Sequence, residues 1–333
     1  MRSFFQKMKN SDKQTLVITR LTALWALSES ALGGIMHALH IPFTGIFVGG
    51  MAIICISFIA IYAQSVFGEI IKSTLLVLMV KAGVSPHTPV PAYVAVSFQG
   101  LLGATIFTFL RNFRLSAVLF GCLAITESAI QKFLFTTLVF GKSVWVALDI
   151  FVASVLHDLG LPKNFSFSFW MVSLYILLYA VFGFILGMFI GDMPNALEKI
   201  QRDKIRPQSL GKQEDPAIKR KKSWLRFLWI IGFVFLIFLA ECKINHAFYV
   251  VLRSLSVTML LFVVIRPLIV YLINRSAKNK KEEIIIILNL LPEIRAYVKP
   301  AYEQSSATYN GMKKYSHFVL LLIHFTISDK TDA

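Results

Sequence analysis

Residues 44–64 read TGIFVGGMAIICISFIAIYAQ, a run without one charged side chain. At 1.5 Å per residue, about 20 helical residues cross a hydrocarbon layer roughly 30 Å thick. The run is apolar on every side, so it shows neither the alternation of a half-buried strand nor the single stripe of a surface helix. It reads as a helix surrounded by lipid or by other apolar helices. Working outward, comparable runs lie near 15–38, 66–83, 89–110, 115–139 and 166–191, then near 224–242 and 247–273. Over 333 residues, 56% are hydrophobic and 16% charged. A soluble domain carries about 25% charged residues, and one of this size could not hide so much apolar surface. The expected fold is therefore an all-α membrane protein. It comprises a six-helix transmembrane bundle over 1–191, a basic linker over 192–223, a two-span module over 224–273 and an amphipathic cytoplasmic tail over 274–333.

Charge sets the expected orientation, because segments facing the cytoplasm collect Lys and Arg. The start MRSFFQKMKNSDKQ is basic, and the apolar run after it is too long and too polar at its centre for a cleaved leader, so it is expected to be retained inside. Arg111 and Arg114 bracket one turn, Lys219-Arg220-Lys221-Lys222 lie in the linker, and the tail after Asn274 is also basic. All fall on the same side if there are eight spans and both ends are cytoplasmic, as in a multi-pass protein of the bacterial inner membrane. The run 66–83 is the least comfortable in lipid, because it holds Glu69, Lys72 and Lys81. The net charge of +16 does not indicate nucleic acid, since no basic domain stands apart from the apolar runs.

Polar residues inside such runs are costly and mark packing or function. In the first span Ala26, Ser30 and Gly34 recur every fourth residue. This small-residue stripe lets another helix approach closely, either within the bundle or on a partner subunit. Glu29 lies on the same span. His37 and His40 close it, Thr44 opens the next, and His87 and Thr88 lie in the rigid string Ser-Pro-His-Thr-Pro-Val-Pro that enters the span holding Gln99. The fifth span carries Glu127, Ser128, Gln131 and Lys132, with Glu127 and Gln131 one turn apart and expected to face a common pocket. Residues 143–159 form an amphipathic helix whose Trp145 and Asp149 are placed to close that pocket from above. Isolated interhelical bonding is the plainer account of each polar residue taken alone.

Enzymatic motifs are missing from the sequence: no HExxH, no GxSxG, no Walker lysine loop and no zinc-type cysteine pair. No catalytic residue, metal ligand or cofactor is assigned. Cys55, Cys122 and Cys242 read as packing residues, and His157-Asp158 is a lone base and acid in a loop.

Residues 1–191 resemble the substrate-binding S components of energy-coupling factor (ECF) vitamin transporters. The likeness rests on six spans in about 190 residues, a basic start, the small-residue first span, Ile41-Pro42-Phe43-Thr44-Gly45 and His87-Thr88-Pro89-Val90-Pro91. It implies a vitamin-like or nucleobase-like solute bound near the outer face beneath the loops. It also implies a first helix docked on a transmembrane T component that couples to cytoplasmic ATPases. On that basis Ala26, Ser30 and Gly34 are the docking stripe, although the family's pattern is alanine. His37, Thr44, His87, Thr88, Gln99, Glu127, Gln131, Trp145 and Asp149 are the candidate pocket. The module from 224 onward faintly resembles part of a T component but lacks its Ala-Arg motif. The rival classes are a membrane enzyme acting on a lipid-linked substrate and a structural subunit of an envelope complex.

Overall fold

The computed structural model describes residues 11–32, 44–85, 88–158, 166–202, 246–277 and 280–328. Every element among them is helical. Helix α1 spans Ser11–Leu27 and ends in a π-helical turn, Ser28–Leu32. It is followed by α2 Thr44–Tyr62, α3 Val66–Val84, α4 Val90–Phe109, α5 Phe113–Phe140, α6 Ser143–Asp158 and α7 Phe167–Arg202. Next come α8 His246–Met259 and α9 Arg266–Ala277, joined by the π-helical segment Leu260–Ile265, then α10 Lys281–Thr308 and α11 Met312–Ile327. Pro267 lies just beyond that π segment; it offers no N–H to a carbonyl one turn back, which loosens the α ladder there. The expected span 224–242 and most of the linker lie outside the described residues.

Among the described residues five helices, α2, α4, α5, α7 and α8 with α9, are long and apolar enough to cross a bilayer. This is the pattern of a multi-pass membrane protein. The side chains agree with it. On α7, Phe169, Leu174, Leu177 and Ile185 are each more than half exposed, and on α5 so is Leu134. In water such a face would be costly, whereas against acyl chains it is at home. α2 occupies the centre, with Ile53, Cys55, Ile56 and Ile59 fully buried, which explains why it can be apolar all round.

Without a hydrophobic drive between helices in lipid, close approach depends on small residues. The α5–α7 pair shows this most clearly. Gly183, Gly187 and Gly191 recur every fourth residue along α7 and lie directly on α5. A Cβ on Gly187 would sit 2.5 Å from the Val118 Cα and 2.6 Å from the Ala117 carbonyl oxygen. On the facing helix a Cβ at Gly121 would sit 2.6 Å from the Gly183 carbonyl oxygen. Sequence reasoning registered this pattern in the first span and missed the all-glycine version here.

The two lysines of α3 are paired from distant parts of the chain. Lys72 reaches Glu283 of α10 at 3.2 Å, and Lys81 reaches Glu29 at 2.5 Å with both side chains about 5% exposed. α3 also bonds to α1 through the Thr22 hydroxyl, which lies 2.9 Å from the Ser73 hydroxyl. The tail, expected to be amphipathic, packs on its own chain: α10 against α1 and α3, and α11 against α10, α1 and α7. Arg20 of α1 joins the two, donating to the Ser328 carbonyl at 2.9 Å and lying 3.6 Å from Glu293. That clasp holds the pole of the bundle where α1 begins. The opposite pole, where α1 ends and α2 begins, contains the site.

Candidate functional site

At that pole the helices diverge around a cavity of about 800 Å³. Ligand sites of small molecules span roughly 300–1,000 Å³ and pair apolar walls with a few convergent polar groups. This cavity has both. α1 and α3 contribute the Glu29–Lys81 ion pair, α2 contributes Gly45, Val48 and Gly49, and α4 contributes Pro91, Ala92, Ala95 and Gln99. α5 contributes Ser128, Gln131, Lys132, Phe135 and Thr136, and α7 contributes Tyr175 and Tyr179. Ser85, Thr88 and Pro89 of the short loop close one side.

Local sequence explains these positions. The Thr88 hydroxyl donates to the Ser85 carbonyl at 2.8 Å, and Pro89 caps α4 in extended backbone with proline in the first turn of that helix. Proline is well placed there, since the first turn needs no N–H partner. The Gln131 amide donates to the Pro91 carbonyl at 2.9 Å and ties α5 to the start of α4. The π-helical turn that ends α1 carries Glu29, and π-turns inside helices are frequent at functional sites. Gly45 and Gly49 leave α2 bare, so the wall there is backbone: a Cβ at Gly49 would meet the Gln99 Nε2 at 3.1 Å. Gln99 is 2% exposed, and its Oε1 accepts no hydrogen bond from the described residues. The Tyr175 and Tyr179 rings are 4.6 Å apart with their hydroxyls at 2.8 Å. Lys132 lies 5.2 Å from the centre of the Tyr175 ring.

The residues singled out from sequence divide into three groups. Thr88, Gln99 and Gln131 converge on the cavity. Glu127, Trp145 and Asp149 do not line it. Glu127 is half-buried on α5, with one carboxylate oxygen accepting no hydrogen bond. The Trp145 indole donates to the Thr137 hydroxyl at 2.8 Å. Asp149 receives the Ser168 backbone N–H at 2.6 Å and the Ser168 hydroxyl at 2.7 Å, which caps the start of α7. Those bonds, led by the Ser168 N–H, hold its carboxyl below the usual range. The roof expected from residues 143–159 thus braces α5 and α7 through these two side chains. His37, Gly34 and His87 lie outside the described residues, as does the Thr44 side chain.

Ala26 is fully buried and Ser30 nearly so within this chain, beside α2 and α3. His157 and Asp158 are both exposed, 3.5 Å apart. Among the described residues no three His, Cys, Asp or Glu side chains come together to hold a metal ion. Sequence reasoning passed over Tyr175 and Tyr179, whose i, i+4 spacing places two phenol hydroxyls on one face of the span and was the available signal. A smaller cleft of about 220 Å³ at the other pole, between Phe107, Leu110, Arg111 and Pro194, lacks convergent polar groups. Set against family models, curated proteins and solved structures, the chain matches none of them.

Proposed function

We propose that this chain is the solute-binding membrane subunit of an uptake system for a small vitamin-like or nucleobase-like molecule. The observation that carries the reading is the cavity of about 800 Å³, in which polar side chains of five helices meet between apolar walls. A purely structural bundle has no use for such a space, since a void forfeits packing. The charge pattern of the sequence supports a topology of six spans followed by two, in a bacterial inner membrane with both ends cytoplasmic. In that orientation the cavity opens outward and the α10–α11 clasp lies inside. Energy comes from partners, a T-type membrane component and cytoplasmic ATPases, because the sequence has no nucleotide loop of its own. Differential binding of those partners to open and closed forms would drive release inward.

The test is purification in mild detergent followed by mass spectrometry of everything retained. The expected result is one small solute near stoichiometric amount, together with ATPase subunits. Gly49→Phe, which fills the cavity from α2, should abolish retention of the solute while preserving the partners. Equal retention by the filled variant would overturn the reading.

A further inference from the structure

We propose that the solute is a monoanion with a flat, hydrogen-bond-donating body, an aromatic carboxylate being the simplest case; this rests on the reading of the cavity as a solute site. Among the described residues the lining carries three charged side chains, Glu29, Lys81 and Lys132. Glu29 and Lys81 are 2.5 Å apart and almost fully buried, so they neutralise each other. That leaves Lys132, exposed on α5, as the net charge of the site. Low-dielectric walls focus such a field and favour entry of the opposite sign. Glu127 on the same helix lies outside the lining and does not share the cavity with the solute.

The shape of the body follows from the wall beside Lys132, whose ammonium lies 5.2 Å from the centre of the Tyr175 ring. Tyr175 and Tyr179 lie with ring planes 30° apart, and Phe133 meets Tyr175 edge-on at 5.3 Å. A planar ring laid on that surface gains offset stacking contacts that an aliphatic body would not. The buried Gln99 Oε1 accepts no hydrogen bond from the described residues, and a buried acceptor without a donor costs free energy. A solute N–H or O–H reaching it removes that cost. An anionic group at Lys132, a ring on the tyrosines and a donor at Gln99 can be met by one molecule.

The test uses purified full-length protein in mild detergent with four probes followed by isothermal titration: indole-3-acetate, 1-methylindole-3-acetate, indole-3-acetamide and tryptamine. Indole-3-acetate should bind at least tenfold more tightly than the neutral amide, and tryptamine should be weakest. Lys132→Gln should erase the preference for the anion. Methylating the indole nitrogen should weaken binding several-fold in the native protein and have no effect in Gln99→Leu. Tryptamine binding as well as the acetate, or an N-methyl group without effect, overturns the proposal. Failure of the underlying reading has a separate signature. If the probes are rejected but a cellular solute is retained and then expelled by both Gly49→Phe and Ala95→Phe, the cavity is a solute site of other chemistry. If neither filled variant alters retention of any solute, both ideas fall.

Discussion

Replacing Lys81 with methionine removes the cation from a pair whose side chains are about 5% exposed, and leaves the Glu29 carboxylate with no counter-charge 2.5 Å away. Breaking a buried pair from one side costs about 3–5 kcal/mol, because the remaining charge is stranded away from water. At about 1.4 kcal/mol per tenfold, that is between two and four powers of ten in the folding equilibrium. Replacing both charges, Glu29→Gln with Lys81→Met, removes the stranded charge as well as the attraction. The double variant should therefore lie within about 2 kcal/mol of the native protein, or above it. Trp25 is fully buried one turn before Glu29 and, with the other four tryptophans replaced by phenylalanine, reports on this region by fluorescence. The assay is denaturant unfolding in mild detergent, with the four proteins forming a double-mutant cycle. A single variant that loses under about 1 kcal/mol, or a double variant as unstable as the single, would refute the claim that the charges are paired and sealed from water.

Gly187→Ala forces α5 and α7 apart, since its new carbon would meet backbone at 2.5 Å; overpacking of this kind costs about 1–3 kcal/mol, read as a lower unfolding midpoint. Gly83→Ala, with nothing within 4 Å of the added carbon, should leave the midpoint unchanged or slightly raised. Gln131→Ala should weaken retention of the bound solute several-fold, measured by equilibrium dialysis, while Glu127→Ala should not, because only the first lines the cavity. His317 on α11 is partly buried, and burial lowers its pKa below the ordinary value of about 6.5. Its unfolded state thus binds more protons, so the α10–α11 hairpin should lose protection from hydrogen exchange as pH falls from about 7 to 5. His317→Gln should flatten that pH dependence.

The spans that were easiest to read are those whose hydrophobicity is a local property, such as 44–64, where composition alone requires a helix in an apolar setting. α3 was hard for a physical reason: its lysines are compensated by Glu29 and Glu283, so nothing within the run announces that its charges are satisfied. Thr88, Gln99 and Gln131 were legible as polar residues out of place in lipid. Which of them share a space depends on helix rotation: on α5 Gln131 faces the cavity, while Glu127, one turn earlier and about 40° round the helix, does not. Trp145 and Asp149 carry the right chemistry for a ligand, yet they serve Thr137 and Ser168. The glycines of α7 were visible at 183, 187 and 191, but their effect emerges only when a second helix is laid on them.

The proposed function requires the cavity at the α3–α4 loop to open to the outside and hold a solute there. The most direct measurement is labelling of intact cells with a membrane-impermeant maleimide, using single cysteines at Ser85, in the cavity wall, and at Tyr309, at the α10–α11 turn. Ser85→Cys should be tagged from outside and shielded when solute is added, while Tyr309→Cys should be tagged only after the membrane is permeabilised. Labelling of Tyr309→Cys in sealed cells with Ser85→Cys silent would place the cavity on the wrong side and contradict it.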